Sequence, residues 1–95
     1  PTTGEVKVPC AEEDKLATVA AITAAFADHE SSVIDGVRVR FEKAGLQSGW
    51  YLARKSNTEA ILVMRVEAND QETLDEILTM IDERVSPITD ISKLL

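Results

Sequence analysis

The polar and apolar positions of this chain fall into six periodic runs. Glu5-Val6-Lys7-Val8 alternates, as a half-buried strand does, and Pro9 limits that strand or places it at a sheet edge. Glu12 to Ala27 reads as a helix. Glu12, Glu13 and Asp14 fill a first turn that suits the helix dipole, and Leu16, Val19, Ile22, Thr23 and Phe26 recur at helical spacing. Asp35-Gly36 is a turn or bulge signal inside a strand-like run from Val33 to Phe41. Val37, Val39 and Phe41 then share one face of that run, and Arg38 and Arg40 the other. Lys43 to Gly49 reads as a loop and Trp50 to Lys55 as a strand. Ala60 to Glu67 is the most apolar strand, expected at the sheet centre and buried on both faces. Asn69 to Arg84 reads as a second helix, with Asn69 as its cap, Glu72 completing a capping box, and a stripe of Leu74, Ile77, Leu78, Ile81 and Val85.

The predicted order is strand, helix, strand, strand, strand, helix. Short connections between the last strands demand antiparallel pairing, and each helix has one apolar stripe to bury. The expectation is an α+β two-layer sandwich: an antiparallel four-stranded sheet with two helices on one face. Residues 1–85 form the domain, and 86–95, which follow the helix and contain Pro87, read as a loose C-terminal tail.

Composition narrows the function classes. The chain has 95 residues, 44% of them hydrophobic, enough for a single small core. Its net charge of −7 argues against nucleic acid and anionic membranes as partners. No apolar run reaches the roughly 20 residues needed to span a bilayer. Cys10 is the lone cysteine, which fits a reducing, cytoplasmic setting. Beginning at Pro1 with no initiator Met, the sequence reads as a processed protein or a piece cut from a longer one.

An acidic chain can still hold an anion where its donors cluster. Arg54-Lys55-Ser56-Asn57-Thr58-Glu59 lies between two strand-like runs and gathers a guanidinium, two hydroxyls, a carboxamide and backbone N–H groups. Those are the donors a dianionic phosphate requires. On the residues alone, Arg54 is equally a phosphate fork or a solvated strand-end arginine, while Ser56, Asn57 and Thr58 read as donors to the ligand, with an ordinary polar turn as the alternative. Arg65, a charge on an apolar strand, needs a partner such as Glu67 or Glu59 and reads as a support. Arg38, Arg40 and Lys43 form a basic face open to solvent, substrate or a neighbouring domain. His29, the single histidine, reads as a helix-end residue, and Trp50 and Tyr51 as packing. The carboxylates are not spaced as metal ligands.

Arg54-Lys55-Ser56-Asn57-Thr58-Glu59 followed by Arg65-Val66-Glu67-Ala68 resembles the C-terminal domain of the α-D-phosphohexomutases, of the phosphomannomutase/phosphoglucomutase type. That family's pattern is Arg-x-Ser-(Asn/Gly)-Thr, then an apolar strand ending in Arg-x-Glu. Gly4-Glu5-Val6, Asp35-Gly36-Val37-Arg38-Val39 and Trp50-Tyr51-Leu52-Ala53-Arg54 fit in order. Ala60 stands where the family often has Pro. The resemblance implies a TATA-binding-protein-like two-layer fold. It also implies a four-domain parent that interconverts hexose 1-phosphate and hexose 6-phosphate through a phosphoserine, a Mg²⁺ loop and a bisphosphorylated sugar. Within that parent it assigns phosphate binding to Arg54, Ser56, Asn57 and Thr58, with Arg65 supporting. The expected partners are a glucose or mannose phosphate and the other domains. This chain has neither a nucleophile loop nor a metal loop, so catalytic residues and a cofactor are expected elsewhere, and the chain alone is expected to be inactive. The alternative is a stand-alone acidic α+β domain whose sheet binds a protein partner.

Overall fold

The computed structural model describes residues 1–33 and 36–95. Asp35 of the expected Asp-Gly signal lies outside the described residues. The elements are β1 (Val6–Pro9), a 3-10 turn (Glu12–Asp14), α1 (Lys15–Ala25), β2 (Ser31–Ser32), β3 (Gly36–Lys43), β4 (Leu46–Lys55), β5 (Ile61–Ala68) and α2 (Gln71–Val85). The strands form one antiparallel sheet in the order β1-β5-β4-β3-β2.

The sheet therefore has five strands among the described residues, not the expected four. The additional strand is Ser31–Ser32, paired with Val39 and Arg38 at the edge. Both serines are exposed, so no apolar alternation marks them. Only backbone pairing makes this strand, continued by the Arg40 N–H donating to the Glu30 carbonyl at 2.8 Å. Period-2 reasoning detects burial and is blind to an edge strand wet on both faces.

Both helices cover one face of the sheet. Val8, Val37, Val39, Phe41, Tyr51, Ala53, Leu62, Met64, Val66 and Ala68 point into that layer and meet Ile22 and Phe26 of α1 and Leu74, Ile77, Ile81 and Val85 of α2. Phe26 makes edge-on contacts with Phe41 and Tyr51, ring centroids 6.0 and 5.9 Å apart. The Tyr51 hydroxyl donates to the Met64 sulfur at 3.2 Å, and burial raises its pKa far above the ordinary phenol value.

β5 is an interior strand, as expected, but it is not buried on both faces. Ile61, Val63, Arg65 and Glu67 lie on the uncovered face, where Val63 alone is buried. Three more corrections are local. The expected 43–49 loop is a tight hairpin turn, because Ala44 (φ 53°) and Gly45 (φ 79°) supply the two positive-φ residues that let β4 begin at Leu46. The cap of α2 is Asp70, which is extended and accepts from the Thr73 N–H at 2.7 Å. Asn69 instead donates from Nδ2 to the Gln47 carbonyl at 3.1 Å. Finally, residues 86–95 pack rather than trail: Ile91 and Leu94 are buried in the core.

The α1 stripe is rotated from the expected one. Leu16 is 73% exposed, while Lys15 is 1% exposed and takes the inward position of the first turn. The exposed Leu16, half-buried Val19, Thr23 and Lys55 line a shallow groove beside α1.

Candidate functional site

The loop 56–60 joins β4 to β5, and Arg54 is the last residue of β4 on the uncovered face. Arg54 pairs in register with Val63, and Leu52 pairs with Arg65. Arg54 and Arg65 therefore sit on the same face as diagonal neighbours across adjacent strands, a spacing long side chains bridge. The one carboxylate near Arg54 among the described residues is Glu5, at 3.9 Å, too far for a hydrogen bond. Its guanidinium is thus largely uncommitted.

Ser56 organises the loop. Its N–H donates to the Ile61 carbonyl at 3.3 Å, closing the hairpin. Its Oγ accepts from the Thr58 N–H at 3.3 Å and the Glu59 N–H at 3.2 Å. A hydroxyl has one proton and two lone pairs, so an oxygen accepting twice keeps its O–H for an outside acceptor or for Thr58 Oγ1, 3.5 Å away. These two internal bonds also show what the sequence overstated: the N–H groups of Thr58 and Glu59 are spent on the loop itself. The N–H groups of Asn57 and Ala60 are the loop amides that have no partner among the described residues. The Asn57 and Thr58 side chains are exposed at the tip. The Glu59 carboxylate is drawn to Lys7 on β1, 3.1 Å away.

Beneath the loop lies a residue that sequence reasoning missed. Lys15 reaches from the first turn of α1 and donates from Nζ to the Ser56 carbonyl at 2.7 Å and the Glu59 carbonyl at 2.5 Å. Glu12 completes its environment with a carboxylate 2.6 Å away. A lysine is almost never fully buried unless paired, and all three of its N–H directions have acceptors here.

The other expected positions resolve plainly. Arg65 lies against Trp50, its guanidinium carbon 5.8 Å from the ring centre, with Glu67 at 3.9 Å. Arg38 stacks on Trp50 at 4.6 Å. Arg40 pairs with Glu42 at 3.2 Å. Lys43 does not join that basic face: it turns to α2, 2.9 Å from Glu76 and 3.0 Å from Thr73 Oγ1, and the Glu76 hydrogen bond raises its pKa. His29 follows α1 and packs on Phe26 and Phe41. Cys10 is buried near Thr18. Among the described residues no group of three or more His, Cys, Asp or Glu could hold a metal ion, and no helix is long and apolar enough to cross a membrane.

One hairpin of this two-layer α+β domain thus presents a guanidinium, a hydroxyl that accepts two hydrogen bonds and unpartnered backbone amides. The chain belongs to the phosphoglucomutase/phosphomannomutase C-terminal domain family, whose pattern matches residues 5–84. It is 33% identical over 89 residues, 92% of its length, to a phosphomannomutase/phosphoglucomutase of Pseudomonas aeruginosa. It is 39% identical over 51 residues, 54% of its length and 10% of the relative's, to a phosphoglucosamine mutase of Methanococcus maripaludis. A crystal structure of a phosphoglucomutase/phosphomannomutase family protein from Burkholderia thailandensis shares the fold, with TM-score 0.61 and 24% identity over 95% of this chain and 19% of that one. The chain spans 18% of the length of the Pseudomonas aeruginosa relative.

Proposed function

We propose that this domain holds the non-reacting phosphate of a hexose phosphate inside a multi-domain phosphomannomutase/phosphoglucomutase. The observation that carries the reading is the Ser56 hydroxyl: with Thr58 and Glu59 amides on its lone pairs, its proton is the part left to offer. Arg54 supplies the charge and a bidentate fork, Asn57 and Thr58 supply tip donors, and Arg65 supports the face next to Arg54. The parent would interconvert hexose 1-phosphate and hexose 6-phosphate through a phosphoserine and a bisphosphorylated sugar, with glucose or mannose phosphates as substrates. Mg²⁺ and the phosphoserine would be held elsewhere in the polypeptide. The domain by itself would be inactive, and the parent would work in the cytoplasm.

Gripping the remote phosphate orients the reacting end of the sugar, so its binding energy serves the transition state as well as the ground state. Arg54→Ala or Ser56→Ala in the full-length enzyme should therefore raise KM and lower kcat while the domain stays folded. Unchanged kinetics in both variants would sink this role for the loop. The alternative is a stand-alone acidic α+β domain whose sheet binds a protein partner, and unchanged kinetics in both variants would favour it.

A further inference from the structure

We propose that Lys15 is the positioning residue of the phosphate loop: by drawing the Ser56 and Glu59 carbonyls inward, it turns the Asn57 amide outward to the anion. The inference rests on the reading of loop 56–60 as a phosphate site.

The geometry of the peptide unit carries the argument. In a trans peptide the C=O and the following N–H point in opposite directions, and the chain has no cis bond among its described residues. The Ser56 carbonyl is fixed on Lys15 Nζ, so the Asn57 N–H of that same peptide faces away from the helix layer. The Glu59 carbonyl is fixed on the same nitrogen, so the Ala60 N–H also faces away. One ammonium thus sets the orientation of two peptides at opposite ends of the turn. Both carbonyls, whose partial negative charge would repel a phosphate, are held on the far side of the loop.

A free hairpin tip does not need such a device. Polar turns normally leave their carbonyls to water, and burying a lysine to satisfy two of them is costly unless every N–H is matched. Here each one is matched, by Ser56, Glu59 and the Glu12 carboxylate. The side chain is 2% exposed and lies below the loop, so it positions the site without touching a ligand at the tip.

The test uses the full-length enzyme carrying this domain, with glucose 1-phosphate as the probe and three proteins compared: wild type, Lys15→Met and Arg54→Ala. Lys15→Met should raise KM for glucose 1-phosphate about tenfold or more and lower kcat, in the same direction as Arg54→Ala. Impaired Arg54→Ala with unchanged Lys15→Met kinetics overturns the role of Lys15 and leaves the phosphate reading standing. Unchanged kinetics in both overturns the phosphate reading and the inference with it. Should Lys15→Met fail to fold, backbone amide shifts of the wild-type enzyme on adding glucose 1-phosphate decide the matter. The Asn57 amide should move most, and Thr58 and Glu59, committed to Ser56 Oγ, should move little. The reverse pattern overturns the inference.

Discussion

Arg84, on the last turn of α2, grips Asp28 just beyond α1 through two hydrogen bonds of 2.6 and 3.1 Å. The same guanidinium donates to the Ala25 carbonyl at the end of α1 and lies 5.2 Å from the centre of the Phe26 ring. One side chain thereby joins the ends of both helices over the aromatic core. Arg84 holds the Asp28 carboxyl well below the usual carboxylate range, with the neighbouring His29 adding to the effect.

That shift gives the stability a defined acid limb. A carboxyl with a depressed folded-state pKa contributes stability that is complete above its unfolded value, near 3.8, and is lost as pH falls toward the folded value. Asp70, lowered chiefly by the Thr73 N–H at the start of α2, acts in the same direction. Urea midpoints should therefore fall between pH 5 and the strongly acidic range, and Arg84→Met should flatten that fall as well as lower the midpoint at pH 7. Equal slopes in the two proteins would remove Arg84 as the cause.

The packed C-terminal segment makes a second prediction. Ile91 is 1% exposed, and truncating it leaves a cavity in the core. Ile91→Ala should cost about 2–4 kcal/mol by chemical denaturation, a loss no exposed tail residue would produce. An unchanged midpoint would return residues 86–95 to the role of an appendage.

Gly36 lies opposite Arg54 on the neighbouring strand. A Cβ there would stand 2.4 Å from the Ala53 carbonyl oxygen and 2.7 Å from the Arg54 Cα, backbone atoms that cannot swing aside. Gly36→Ala should destabilise by about 1–3 kcal/mol through overpacking, and it should weaken glucose 1-phosphate binding because Arg54 is the atom set displaced. Lost stability with unaltered KM in the full-length enzyme would separate this glycine from the site.

Trp50 is the single tryptophan and carries Arg38 and Arg65 against its ring. Replacing either arginine by Met should cost about 0.5–1 kcal/mol and alter the Trp50 emission spectrum. An emission spectrum indifferent to both substitutions would mean that neither guanidinium rests on the ring in solution.

The alternation of Val37 to Phe41 and the apolar stripe of α2 made the sheet and the second helix legible in sequence, because both patterns are set by burial. Ser31–Ser32 was not legible, since backbone pairing leaves no side-chain trace at a wet edge. Asp70 rather than Asn69 caps α2 because either residue can accept from an N3 amide, and the choice depends on which one is freed from the sheet; Asn69 is held by Gln47 and Ser48. At the loop, residue types alone announced a cluster of donors. They could not say which amides Ser56 would consume. Lys15 was hidden by its own chemistry: a charge beside Leu16 reads as the solvent side of a helix until the loop carbonyls that receive it are in view.

The placement of the loop in the strand order has a mechanical consequence. Its two stems, β4 and β5, are each laddered on both sides, β4 to β3 and β5 to β1. Neither stem can bend without tearing pairs from two neighbours. The tip is accordingly a fixed jaw and not a flap. In the role proposed above, capture and release of a phosphate would then come from movement of the domain as one piece and not from bending of the loop.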